Sequence, residues 1–411
     1  MAIQSCRICG GGSLEEVLDL GDLALTGVFL EDGSKVPKEP LKLMRCEKCG
    51  LVQLAHNFQQ TSLYTSAYGY ESHLNTSMVN HLHRKARILE KSFLKNQKEP
   101  VVVDIASNDG TFLSGFQRRD SVKVGVDPLI DVFSNYYPEE SIKIQNFFSA
   151  QQYWAFYSKP ANLVTSMSVI YDLEDPIRFA RDVSSILDEG GIWHFEQSYL
   201  PSMLTTRSFD TICHEHLLYL SLKDIEGIVS AAGMQIIDAS LNGTNGGSIA
   251  VTAIKTSETV KVSPYVKFLT QAEEIEGISD GSKLASFASD TLSFVAQLKK
   301  LLIEYKSMNY EIVGLGASTK GNVILQTANL DSSTVSAIAE VNPRKFGMQT
   351  PGSCINIVNE SILQTNEFGK LLVLVLPWHF RENLMSKIEK FVEPGTALAM
   401  FPLPQIELVS S

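Results

Sequence analysis

The chain has 411 residues, 44% hydrophobic and 20% charged, an ordinary make-up for a globular protein long enough to hold two or three domains with their own cores. A formal net charge of -11, with only 35 basic residues, gives a surface that repels phosphate backbones unless a local patch reverses it, so no nucleic-acid partner is expected. The opening residues MAIQSCRICG lack a secretory pattern, and the longest apolar run, Leu371–Pro377, is too short to span a bilayer, so a cytoplasmic protein with no membrane partner is expected.

Four of the six cysteines fall in two pairs, Cys6/Cys9 and Cys46/Cys49, each followed directly by a glycine. Such paired thiolates in a reducing compartment point to metal rather than to a disulfide scaffold. Cys6, Cys9, Cys46 and Cys49 together fill a tetrahedral zinc shell and leave no open position, so the expected role is structural. A redox dithiol needs only one pair, and a nucleic-acid knuckle needs basic neighbours that are few here.

Residues 60–83 are rich in tyrosine and histidine (Tyr64, Tyr68, Tyr70, His73, His81, His83), either a site lining or a solvent-exposed linker helix. Met78–Leu94 has helical spacing. A buried strand follows at Val101–Ile105, then a turn with Asn108-Asp-Gly110 and a helix opening at Thr111. Further strands are read at Val122–Val126, Leu163–Ser166 and Gly191–Glu196. Strands alternating with helices at this spacing predict a parallel sheet with helices on both faces. Asp127 closes the second strand, where a carboxylate can accept both hydroxyls of a ribose. Dinucleotide enzymes place G-x-G-x-x-G after the first strand, to hold a pyrophosphate. Here the loop is Ala106-Ser-Asn-Asp-Gly110, with one glycine and an acid, which suits a cationic sulfonium better than a diphosphate. Asp104, Ala106, Asn108, Gly110 and Asp127 are therefore the candidate S-adenosylmethionine residues.

From about residue 246 the pattern restarts. A mostly helical stretch over 270–306 leads into Glu311–Gly321, read as strand, glycine turn and helix start, with further strands at 335–340 and 371–376. This is a second Rossmann-like unit. Gly316, Ser318, Thr319 and Lys320 suit a phosphate at a helix N-terminus, although the spacing is not that of a Walker loop. The reading is of an α/β protein with a zinc-binding domain at 1–62, a Rossmann-like methyltransferase domain at 63–245 and a C-terminal Rossmann-like domain at 246–411.

The densest polar cluster is Cys213-His-Glu-His216, with Tyr219 close behind. His214 and His216 are two apart, unsuited to one helical face and so to the metalloprotease arrangement. An imidazole beside a carboxylate fits general acid/base work, against the alternative of a buried hydrogen-bonded cluster. Asn245-Gly-Gly-Ser248 could bring a polar loop to the same place.

The set C-R-x-C-G, C-x-x-C-G-L-V-Q-L, D-I-A-S-N-D-G, F-D-T-I-C-H-E-H-L-x-Y, N-G-G-S and G-x-G-A-S-T-K-G resembles the nucleotide-sugar C-methyltransferases over nearly the whole chain and in family order. The resemblance implies zinc, S-adenosylmethionine and a nucleotide-linked ketosugar carrying dTDP, GDP or CDP. It implies methylation alpha to a ketone, commonly at C3 of a 4-keto-6-deoxyhexose, through an enolate that attacks the sulfonium methyl group. The family's base matches His216 and its assisting acid Glu215, with His214 beside them. An active-site tyrosine matches Tyr70, with Tyr68 as its rival. Where relatives often carry tyrosine before His-Glu-His, this chain has Cys213, and Ser166–Pro176 also departs from the family run. Against this stand an NAD-dependent nucleotide-sugar oxidoreductase using Gly314–Gly321, a zinc-knuckle protein binding nucleic acid, and methylation of oxygen or nitrogen, which would leave the His-Glu pair little to do.

Overall fold

A computed structural model describes residues 2–58, 70–278, 280–364, 369–393 and 395–410. Three sheets organise the chain. The first is antiparallel: β1 (Leu14–Ala24), β2 (Lys38–Cys46) and β3 (Val52–Leu54), extended by the two-residue β9 (Leu218–Tyr219) contributed from the middle of the chain. The N-terminal lobe is therefore stitched to the rest by strand pairing, Val52 opposite Tyr219 and Gln53 opposite Leu218.

The central sheet has seven strands. Five are parallel: β4 (Val101–Ile105), β5 (Val122–Val126), β6 (Ile142–Ile144), β7 (Ala161–Met167) and β8 (Leu187–Ser198). β10 (Gln235–Asn242) and β11 (Ser248–Ile254) form a hairpin that adds antiparallel to β8, giving the order β10-β11-β8-β7-β4-β5-β6. All five residues of β4 are buried, as an unbroken apolar run in a parallel sheet should be. The expected division at 245/246 falls in the hairpin's turn, so the second hairpin strand stays with the central sheet. A sheet predicted as parallel is thus mixed, because a five-residue turn can join only antiparallel neighbours.

The third sheet runs β14 (Ile357–Asn359), β13 (Ala337–Glu340), β12 (Glu311–Leu315), β15 (Leu371–Val375), β16 (Ala397–Phe401) and β17 (Glu407–Ser410), parallel except for the last. In both large sheets the chain order reverses next to the first strand, between β4 and β7 and between β12 and β15. Crevices at the carboxyl ends of such switch points are where open α/β sheets bind ligands. Both crevices here open onto one space.

Helix starts follow local chemistry. Asn75 caps Thr76–Leu89 by accepting from Ser77 N at 3.0 Å, and Met78, Leu82, Ala86 and Leu89 bury one stripe of that helix. Asp175 caps Pro176–Ile186, with proline where its missing N–H costs nothing. The segment 24–30 after β1 crosses the C-terminal helix Thr319–Thr327: Gln326 accepts from Ala24 N and donates to Ala24 O, and Asn322 Nδ2 donates to Thr26 O at 2.7 Å.

Candidate active site and zinc clip

The zinc clip comes first in the chain. Gly10 (φ +67°) and Gly50 (φ +89°) donate to Cys6 O and Cys46 O, so the two knuckles have the same form. The sulfurs of Cys6, Cys9, Cys46 and Cys49 lie within 4.8 Å of one another, two of the pairs at 3.6 Å. Zinc at about 2.3 Å from each sulfur requires sulfurs roughly 3.8 Å apart, so the residues fit the metal. Arg7, within the first knuckle, donates to Leu54 O, His56 O and Asn57 Oδ1, tying the clip to the stretch that leads toward residue 70.

A cavity of about 400 Å³ lies where the sheets' carboxyl ends meet. At the central-sheet end it is lined by Tyr70, Asp104, Ala106, Asn108 and Asp127. Asp104 accepts from Thr165 Oγ1 at 2.7 Å, and burial pushes its carboxyl up to about 8. Asp127 accepts from the amides of Asn108 (3.0 Å) and Leu129 (2.7 Å), and burial raises it to about 6. The Asn108 side chain accepts from Ser72 N and donates to Tyr70 O, so it holds the entering chain as well as the loop. Gly110 is not on the cavity; it caps the helix at Thr111 with φ +83°. Two buried acids, with no cation beside them among the described lining residues, fit a ribose and a positively charged ligand and disfavour a diphosphate. S-adenosylmethionine matches that demand, with Asp127 and Asp104 as the residues that would hold it.

At the other end Glu215, His216, Asn245, Ser318, Thr319 and Lys320 line the same space. Residues 213–216 form a turn closed by His216 N donating to Cys213 O at 3.1 Å. His216 Nδ1 donates to Thr211 O at 2.8 Å, which leaves the Nε2 lone pair without a hydrogen-bond partner among the described residues; the ring lies 4.2 Å from that of Tyr171. Burial, and secondarily Lys320, hold His216 down to about 3, while burial alone lifts Glu215 to about 7. One Glu215 oxygen, Oε1, is buried without a hydrogen-bond partner among the described residues. The backbone of Gly27, from the N-terminal lobe, lies against that oxygen so closely that a Cβ would overlap it.

Not every expected residue is here. His214, expected beside the base, points the other way: Nε2 donates to Glu39 O at 3.1 Å and the ring packs edge-on against Phe58. In a tight turn successive side chains diverge, so it braces β2 and does not line this cavity. Cys213 and Tyr219 lie behind the cavity wall, fully or nearly buried. Gly316 packs against Pro377 and does not reach the cavity. Tyr68 lies outside the described residues.

Two contributors escaped the sequence reading. His379, in the loop after β15, lines the cavity with Nδ1 buried and unpartnered among the described residues. Its signal was available: β15 is a buried strand adjoining β12, so its following loop, Pro377-Trp-His-Phe380, had to reach the same switch point. Glu196, at the end of β8, also lines the cavity. It pairs with His81 (2.7 Å) and Lys85 (2.6 Å), accepts from Asn242, and is held down to about 2 against its burial.

The C-terminal glycine loop is closed by its own chain. Glu340 accepts from Ala317 N, Val341 N and Asn342 N, and Lys345 donates to Ala317 O. An amide that a dinucleotide pyrophosphate would need is already taken, which removes the support for an NAD loop.

Fold and cavity together define an S-adenosylmethionine-dependent methyltransferase that carries a structural zinc clip. Three family models tile the chain: a zinc binding domain over residues 6–64, a methyltransferase domain over 76–239 and a C-methyltransferase C-terminal domain over 243–404. The chain is 26% identical to C-methyltransferase NovU of Streptomyces niveus, over 100% of its own length and 97% of the relative's. The magnesium protoporphyrin IX methyltransferase ChlM of Synechocystis PCC 6803, solved with bound SAH, aligns with 46% of this chain and 91% of its own at 12% identity and TM-score 0.34. A methyltransferase of Clostridium acetobutylicum ATCC 824 aligns with 42% and 91% at 12% identity and TM-score 0.32. The chain is an S-adenosylmethionine-dependent C-methyltransferase related to NovU, with an N-terminal four-cysteine zinc domain.

Proposed function

We propose that this protein methylates a nucleotide-linked ketodeoxysugar at the carbon alpha to the ketone, C3 of a 4-keto-6-deoxyhexose being the expected position. The observation that carries this reading is His216: its Nδ1–H is bound to Thr211 O, and its free nitrogen belongs to a residue lining the same cavity as Asp104 and Asp127. Carbon methylation needs a base strong enough and placed to remove a proton from carbon, a demand that a hydroxyl or amine does not make. His216 takes the alpha proton. Glu215, held near 7, exchanges between acid and carboxylate at working pH and assists. The resulting enolate oxygen needs a positive or hydrogen-donating neighbour, and the imidazolium left on His216 is the one this reading supplies. S-adenosylmethionine, when bound, supplies the methyl group that the enolate carbon takes up.

Ser318, Thr319 and Lys320, at the start of the helix Thr319–Thr327, are the proposed diphosphate contacts, with His379 and Asn245 completing that end. Lys320 Nζ is held by Asn245 O at 2.5 Å. A bound diphosphate would offset the Lys320 charge that depresses His216, so substrate binding itself makes the base stronger.

Incubation with labelled S-adenosylmethionine and a panel of dTDP-, GDP- and CDP-linked ketosugars, with the new methyl group located by NMR, tests the reading. His216→Asn should abolish both turnover and solvent exchange of the alpha proton while cofactor affinity survives. Exchange at the wild-type rate in that variant would sink the base assignment.

A further inference from the structure

Metal ligation at the His-Glu-His motif was set aside because its histidines do not share a helical face. The motif is a turn, however, and a turn apposes its first and fourth residues. Cys213 Sγ, a Glu215 carboxylate oxygen and a ring nitrogen of His216 all lie within 4.8 Å of one another, whereas His214 is turned out to Glu39. We infer that Cys213, Glu215 and His216 form a second cation site, for one divalent ion of the zinc class, separate from the four-cysteine clip and in competition with the base.

Three observations support it independently of the clip. The donor set is one thiol, one carboxylate and one imidazole, the mixture that borderline-soft divalent ions accept in three-ligand sites. His216 already donates Nδ1–H to a backbone carbonyl, the arrangement that orients a ligating imidazole and leaves its other nitrogen for the metal. Glu215 is only 7% exposed, yet Oε1 has no partner among the described residues. A buried carboxylate left this way needs a proton or a cation.

On binding, Cys213 gives its thiol proton to solvent, and the thiolate and carboxylate together balance the charge of the dication. Three protein ligands leave a fourth position for water. Glu215 and His216 line the cavity, which provides the entry path. An ion here occupies the His216 lone pair, so methyl transfer stops while it is bound. That consequence rests on the base assignment above; the site itself does not.

The test titrates full-length protein, its four-cysteine site already filled with zinc, with Cd²⁺, reading stoichiometry by native mass spectrometry and ligand type by cadmium NMR. A second equivalent with a one-sulfur signature is expected. Cys213→Ser and Glu215→Gln should each weaken it at least tenfold without disturbing the clip, and Cys354→Ser should leave it unchanged. Binding of no second equivalent, or a second one that survives both variants, overturns the site. A second equivalent that is lost in both variants but does not slow methyl transfer in the wild type keeps the site and overturns its competition with the base.

Discussion

Gly27 contributes to the site by having no side chain. Its backbone belongs to the segment that Asn322 and Gln326 hold across the C-terminal helix, and it lies against Glu215 Oε1. Gly27→Ala must therefore displace the Glu215 carboxylate, since the segment is held at Ala24 and Thr26 before it and by Gln349 N on Leu30 O after it. We expect kcat to fall at least tenfold with S-adenosylmethionine affinity unchanged; steady-state kinetics beside a cofactor titration would show it, and unaltered kcat would mean that Glu215 has no part in turnover. At the other end of the cavity the acids carry a pH signature. Burial raises Asp104 to about 8 and Asp127 to about 6, so without ligand Asp104 is largely protonated at neutral pH. A cationic ligand favours the charged carboxylate, so binding releases protons and affinity rises as pH climbs from 6 toward 8. S-adenosylhomocysteine lacks the sulfonium charge, so the affinity gap between the two ligands should widen over that range. Asp127→Ala should cost at least tenfold in affinity. Calorimetry at several pH values checks both; a gap that stays constant with pH would count against acids facing the sulfonium. Asp104, Asp127, Glu215, His216 and the clip cysteines could be read from sequence because each stands at a strand end or a fixed motif. His214 could not: its neighbours in sequence are site residues, and only the turn's geometry shows it facing Glu39.

Among the elements, the buried parallel strands were the most legible. The runs at 101–105 and 122–126 end where expected, because an apolar run flanked by polar turns has only one place to stop. The hairpin β10–β11 was not read as part of that sheet, since nothing local says which edge a strand joins. The loop after β15 was missed for a different reason: Trp378 and Phe380 look like core, and Trp378 is buried, its Nε1 donating to Asp210 Oδ2 at 2.8 Å. That contact carries His379 to the cavity wall. The glycine loop before Thr319 shows the converse. It was read as a phosphate turn, but Glu340 and Lys345 close its first half, so only Ser318, Thr319 and Lys320 face the cavity. On the proposed reading a diphosphate would meet only the start of its helix and one ammonium group. Lys320→Met should raise KM for the nucleotide-linked sugar at least tenfold while S-adenosylmethionine binds as before. An unchanged KM would move the diphosphate elsewhere.

At the scale of the whole molecule, the central and C-terminal sheets meet at one cavity, and the zinc lobe packs behind the Glu215–His216 turn that lines it. Its attachments include the β3–β9 pairing, the Gln326 and Asn322 contacts and His214 on Glu39 O, while Arg7 holds 54–57 within the lobe. Asn57 in turn donates to Glu174 Oε2 at 2.8 Å, beyond the Tyr171–Leu173 lining of the cavity. Structural zinc contributes on the order of 10 kcal/mol to the folding of small metal-dependent units. Here part of that would be offset by the lobe's own buried residues, such as Leu41, Leu43, Leu51 and Leu54. Removing the metal should loosen the lobe without unfolding the central sheet, whose strands include no clip residue. Chelation should therefore split one thermal transition into two, the earlier several degrees below the original. S-adenosylmethionine affinity should stay within about threefold, because Asp104 and Asp127 belong to β4, β5 and their loops, each threefold change amounting to roughly 0.7 kcal/mol. Turnover should fall much further, because Gly27 and β9 position the Glu215–His216 turn from the lobe's side. Scanning calorimetry, cofactor titration and kinetics on one chelated sample separate these effects. Equal loss of cofactor binding and turnover would mean that the clip supports the whole fold; retention of both would mean that the lobe holds the Glu215–His216 turn without its metal.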